Sequence, residues 1–191
     1  NRHLTDLGSA YLDRKNQNEL SHRYVLGLYQ VMETLTERFP QVLFESCSSG
    51  GGRFDAGMLD YMPQTWTSDN TDAVCRLKIQ HGTSFLFPTV TMGAHVSACP
   101  NHQVGRTTPL ATRFAVAAAG NLGYELDLKK LSKEEKEEVR EQIAEYKRRR
   151  RTVQFGTYYR LADAFQENQS AWNIVSEDGM EVMFTHVQIL A

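Results

Sequence analysis

The chain has 191 residues, 41% of them hydrophobic and 23% charged, with a formal net charge of −2. That balance fits a soluble globular protein with enough apolar material for a sizeable core. It offers no basic excess for a nucleic-acid partner, and no apolar run nears the roughly 18 residues of a membrane span.

Along the chain, residues 19–39 place Leu20, Tyr24, Leu28, Val31, Leu35 and Phe39 at helical spacing. This predicts a helix with one buried stripe, stopped by Pro40. "VLFESCSS" (42–49) predicts a short buried strand running into Gly50-Gly51-Gly52, and "PQTWTSD" (63–69) a second strand. A helix over 71–82, closed by Gly82, and a third apolar strand segment over 84–96 follow. The stretch 107–120 predicts a helix with Thr108 as N-cap, Pro109 at its first position and Gly120 past its end. "LGYELDL" (122–128) is a fourth strand, and Ser132 with Glu135 forms a capping box for a helix over 133–150. Strands and helices thus alternate with short turns, the pattern of parallel βα units.

The run Arg148-Arg149-Arg150-Arg151 reads as a solvated helix end, where cations oppose the C-terminal dipole. After residue 155 apolar and polar residues alternate, and Glu177-Asp178-Gly179 supplies a hairpin turn. An antiparallel β domain is expected to begin here, with the boundary between 1–152 and 153–191; two strands cannot bury a core alone. The chain opens on Asn1 rather than Met, so it is expected to begin inside a longer protein. Cys47, Cys75 and Cys99 are odd in number and widely spaced, with no CxxC pair. They point to free thiols in a reducing, cytoplasmic compartment.

In parallel βα folds reactive groups gather at the C-terminal ends of the strands. "WTSDNTD" (66–72) puts two carboxylates three residues apart at such an end, beside the indole of Trp66. Asp72 falls in the first turn of the next helix, where a carboxylate serves the dipole. For Asp69 two roles stay open, helix N-cap and reactive acid. The glycine triplet lacks the Lys-Ser/Thr of a P-loop and the GxGxxG spacing, which leaves close backbone approach to a hydroxyl-rich ligand. "DNTD" lacks the glycine and terminal Glu of a calcium loop. Cys75, Lys78 and His81 fall on a helix face as structural residues. Cys47 on its own reads as a small buried hydrophobe.

The blocks "CSSGGGRFD" (47–55), "WTSDNTD" and "MGAHVSACPNHQVGR" (92–106) closely resemble the α-galactosidases of glycoside hydrolase family 36, and the resemblance runs through essentially the whole chain. It implies an α/β fold: the second half of a (β/α)8 TIM barrel, followed by the beginning of an antiparallel β-sandwich domain. It also implies a retaining hydrolase for terminal α-1,6-linked galactose, as in raffinose-family oligosaccharides and melibiose. Asp69 corresponds to the family's acid/base. The nucleophilic aspartate would stand two residues upstream of Asn1. Such a pair needs carboxyl groups about 5–5.5 Å apart. Asp69 would have to hold a proton at rest, helped by the nearby anion and partial burial against Trp66.

The same resemblance assigns Asn1 to a galactose hydroxyl and places Cys47 and the Gly50 turn at the 2-hydroxyl side. Trp66 joins them as a substrate-binding residue. Arg53 and Asp55 are expected as a supporting ion pair, and His95 and His102 as hydrogen-bonding residues on the loop after the third strand. No metal and no cofactor is expected, and a homo-oligomer, a tetramer, is implied. An α-N-acetylgalactosaminidase, an α-galactosyl transglycosylase, or a catalytically silent carbohydrate-binding relative share the scaffold. The residue two before Asn1 separates the last of these, since anything but Asp there favours binding over hydrolysis.

Overall fold

The structure, a computed structural model, describes residues 8–47 and 52–190; Asn1 and Gly50 lie outside the described residues. The chain divides after Thr65 into two compact units.

In the first unit a 3-10 turn, Arg14–Glu19, runs directly into helix α1 (Leu20–Arg38). The Phe39 N–H still reaches the Leu35 carbonyl before Pro40 ends the helix. The expected stripe is present but not buried. Leu20, Tyr24, Leu28 and Leu35 are half-buried, while Val31 and Phe39 are exposed. Among the described residues, the helix packed against α1 is the six-residue α2 (Ala56–Tyr61), too short to cover a stripe five turns long.

Helix α2 went unforeseen in the sequence. Asp55 creates it by accepting the Met58 N–H, and the same carboxylate oxygen takes the Tyr29 hydroxyl of α1 at 2.8 Å. The carboxylate expected to pair with Arg53 is thus a cap, and Arg53 reaches the Tyr24 hydroxyl at 3.3 Å. Strand β1 is only Glu45–Ser46 and β2 only Gln64–Trp66; they run parallel, Glu45 opposite Gln64 and Ser46 opposite Thr65. Both are shorter than expected. Beyond Trp66 the backbone turns inward on itself, with Asn70 N–H on Ser68 Oγ and Asp72 N–H on Asn70 Oδ1.

The second unit contains α3 (Ala73–Thr83), β3 (Met92–Ser97), α4 (Leu110–Ala117), β4 (Asn121–Glu125) and α5 (Lys133–Phe155). Gly82 sits inside α3 and does not close it. The strand expected over 84–96 is confined to its end, because Ser84–Thr91 forms a turn and a 3-10 helix with Phe85 and Leu86 exposed. Helix α4 starts at Leu110 with Pro109 at the cap position, and Thr108 contributes its carbonyl to Arg113 Nε.

Strands β3 and β4 pair in parallel from Gly93↔Asn121 to Ser97↔Glu125. Alternation sorts their faces. Ala94, Val96, Leu122 and Tyr124 pack with Leu110, Ala117 and Val139 of the helices. Gly93, His95, Ser97, Gly123 and Glu125 share the other face, where His95 stacks on Trp66 and Ser97 is buried.

Both arms of the Ser132–Glu135 capping box are made, but α5 continues to Phe155. The arginine run therefore lies within the helix. Arg148 and Arg149 pair with Glu145 one turn back, and Arg151 with Glu177 at 2.7 Å. Strands β5 (Thr157–Ala162), β6 (Gln169–Val175) and β7 (Val182–Gln188) form a separate antiparallel sheet. The β6–β7 hairpin turns at the expected place, with Gly179 at φ +71°. Its core is shared: Trp172, Ile174, Met183 and Val187 pack with Ala73, Leu77, Val116 and Val153. Among the described residues no helix is long and apolar enough to cross a membrane.

Candidate active site

The loop from Thr67 to Asp72 joins β2 to α3, and the fates of its two aspartates differ sharply. Asp72 is 1% exposed and is the N-cap of α3: its Oδ2 accepts the Cys75 N–H at 2.9 Å and pairs with the Arg106 guanidinium. The helix thus begins at Ala73, later than expected, and the capping role left open for Asp69 belongs to Asp72. Asp69 is exposed, contrary to the expected burial against Trp66. Among the described residues its carboxylate has no hydrogen-bond or ion-pair partner.

What holds this loop is the segment after β3. Ser97 Oγ donates to the Thr71 carbonyl at 3.0 Å, and the buried Asn101 donates through Nδ2 to Thr71 Oγ1 at 3.0 Å. Asn101 Oδ1 accepts the N–H groups of Gln103 and Val104, which folds 101–104 into a tight turn. Gln103 then accepts the Thr71 N–H and donates to the Asp69 carbonyl. Asp69 is therefore a free carboxyl on a fixed backbone.

Trp66 is half-buried between charged and aromatic neighbours. The Arg76 guanidinium carbon lies 4.5 Å from the indole centroid, and the His95 ring stacks on it at 4.4 Å and 30°. Arg76 is almost fully buried and donates to the Gly93 carbonyl at 2.6 Å, to Thr67 Oγ1 and to the Ser68 carbonyl. Burial pulls its pKa down to about 10, against the opposing pull of Glu125. It stays cationic at neutral pH and ties α3 to both the loop and β3. His95 stands within β3, not on the loop beyond, and its Nδ1 lies 3.2 Å from Glu125 Oε2. His102 is on the loop and exposed.

The structure thus places Trp66 at the end of β2 and Asp69 three residues on, in the loop that follows. Cys47 is half-buried immediately after β1 in the first unit, and Asn1 and Gly50 fall outside the described residues. Arg76, Gln103 and Arg106 were not singled out from sequence. Arg76 had a signal, being an arginine on the apolar face of α3 with Ala73 and Leu77. Gln103 and Arg106 had none, because their partners lie more than thirty residues away. Among the described residues, no three His, Cys, Asp or Glu side chains gather as metal ligands.

A protein-family model described as Melibiase matches residues 1–156. The chain belongs to the Melibiase family. It is 60% identical over 191 residues to α-galactosidase AgaA of Geobacillus stearothermophilus, covering 100% of this chain and 26% of that one. It is 52% identical over 191 residues to α-galactosidase Mel36A of Lactobacillus acidophilus, again 26% of that relative. The solved structure of the Geobacillus GH36 enzyme superposes with a TM-score of 0.96 at 59% identity, over 100% of this chain and 26% of that one. The chain therefore spans about a quarter of the length of these relatives. Two variants of the Geobacillus enzyme, each with one aspartate replaced beside a common alanine-to-glutamate change, were solved in complex with raffinose and stachyose.

Proposed function

We propose that this chain is part of a retaining α-galactosidase that removes terminal α-1,6-linked galactose from oligosaccharides of the raffinose kind, with Asp69 as its acid/base. The observation that carries the assignment is the division of labour in the 67–72 loop. Asp72 is consumed by the helix and Arg106, whereas Asp69 is presented with no structural duty at the end of a parallel strand. The partner carboxylate is placed two residues before Asn1. The two aspartates replaced in the oligosaccharide-bound Geobacillus variants have the same spacing along the chain as Asp69 and that position. Loss of either carboxylate of such a pair is what lets a substrate remain bound.

In this mechanism Asp69 gives its proton to the departing glycosidic oxygen while the nucleophile attacks the anomeric carbon from the opposite face, forming a glycosyl-enzyme. Asp69, now a carboxylate, takes a proton from water as that water displaces the nucleophile, and α-galactose leaves. Trp66, steadied by Arg76 and His95, lies beside the Asp69 loop as a sugar contact in this reading. Cys47, Gly50 and Asn1 complete the sugar contacts in this reading. Residues 1–152 supply half of a (β/α)8 barrel in this reading, and residues 153–191 the start of the antiparallel domain. The family match stops at residue 156, just ahead of β5.

The test is Asp69→Asn in the intact enzyme. Hydrolysis of raffinose should fall by roughly 10²- to 10⁴-fold, the usual worth of a general acid, and an aryl α-galactoside with a good leaving group should be largely spared in kcat/KM. Azide should speed turnover of the aryl substrate and yield the α-galactosyl azide, entering on the face where Asp69 stood. Proton NMR of a fresh wild-type reaction should show α-galactose first. Initial β-galactose, or equal losses on both substrates without azide rescue, would refute the assignment.

A further inference from the structure

We propose that Gln103 is a positioning residue that sets the orientation of the Asp69 carboxyl through the backbone beside it; the inference rests on the role given to Asp69 above. Its side-chain amide brackets the peptide groups that follow Asp69. Oε1 accepts the Thr71 N–H at 2.9 Å, and Nε2 donates to the Asp69 carbonyl. Holding the carbonyl of Asp69 and the N–H two residues on fixes the rotation of the chain at Asp69, and with it the direction of the side chain.

The bracket is itself held. The Gln103 N–H goes to Asn101 Oδ1 at 3.0 Å, and Asn101 is 4% exposed, with its Nδ2 on Thr71 Oγ1 and Ser97 Oγ. Rigidity therefore passes from β3, through Ser97 and Asn101, to Gln103 and so to Asp69. Only an amide can make both contacts, because it alone offers a carbonyl acceptor and an N–H donor on one carbon. A glutamate in its place would keep the acceptor for Thr71 and turn an oxygen toward the Asp69 carbonyl.

Gln103 is itself exposed, so these hydrogen bonds add little to folding stability. Their value lies in geometry, since a misplacement of about 1 Å at a reacting group can cost about 10²-fold in rate.

The experiment compares Gln103→Ala, Gln103→Glu and Asp69→Asn in the intact enzyme, with kcat/KM measured on raffinose and on an aryl α-galactoside whose leaving group needs little protonation. Gln103→Ala should lose roughly 10- to 100-fold on raffinose but less than about threefold on the aryl substrate, with an unchanged melting temperature. Gln103→Glu should show the same leaving-group dependence, because it cannot donate to the Asp69 carbonyl. Equal losses on both substrates, or no loss on raffinose, would overturn the positioning role while leaving Asp69 in place. If Asp69→Asn itself showed no dependence on the leaving group, the assignment of Asp69 would fail, and the role of Gln103 with it.

Discussion

Two aspartates three residues apart are used in opposite ways because the first turn of α3 has amide groups to satisfy and only one carboxylate can reach them. Asp72 takes an extended conformation at φ −63° and ψ 126°, which aims its oxygen at the Cys75 N–H. Arg106 arrives from 34 positions away to neutralise it. Asp72→Ala removes both cap and ion pair and should lower the unfolding free energy of the intact enzyme by about 1–3 kcal/mol. Asp72→Asn keeps a good capping oxygen and should cost clearly less, as Arg106 is 43% exposed and can turn to water. Urea unfolding of the two variants checks this; equal losses would mean that the ion pair, not the cap, dominates. That one of the two carboxylates would cap the helix could be read from a strand end beside a helix start. Which one it was could not, because the deciding partner is distant in sequence.

At the scale of elements, two glycines next to β3 have different jobs. A Cβ on Gly120 would sit 2.8 Å from the Met92 carbonyl oxygen, a backbone atom that cannot swing aside. Gly120→Ala should therefore cost about 1–3 kcal/mol of stability, read in the same urea titration, with KM little changed. A Cβ on Gly123 would meet the His95 ring at 2.5 Å, so Gly123→Ala must push the imidazole from its place against Trp66. There the larger effect should be a raised KM, because in the proposed mechanism the indole is a sugar contact and would be loosened. A stability loss with unchanged KM would show that the stack does not serve the substrate. Elements that advertise themselves by caps were legible in the sequence, such as α5 with its Ser132–Glu135 box. The two- and three-residue strands β1 and β2 were legible as elements but not in length, because pairing with a neighbour, not composition alone, sets how far a strand runs. The end of α5 was misjudged for a related reason: an arginine run looks like a terminus, yet Glu145 one turn earlier lets the helix carry it.

For the molecule as a whole, the parallel pairs and the antiparallel sheet leave much apolar surface uncovered. Leu43, Phe85, Leu86, Met180 and Phe184 are each more than half exposed. Residues 1–191 expressed alone should therefore bind a hydrophobic dye strongly and self-associate in sedimentation, as large apolar patches do. They should also fail to turn over even an aryl α-galactoside. In the proposed mechanism that substrate relaxes the need for Asp69 but not for the nucleophile, and the position two residues before Asn1 is not in this sequence. The two failures separate from each other. Dye binding reports the uncovered surface, and the aryl substrate reports the missing carboxylate even in the fraction that stays soluble. A monodisperse 191-residue protein that cleaves the aryl galactoside would have to draw its nucleophile from within these residues, and the placement of that group ahead of Asn1 would be wrong.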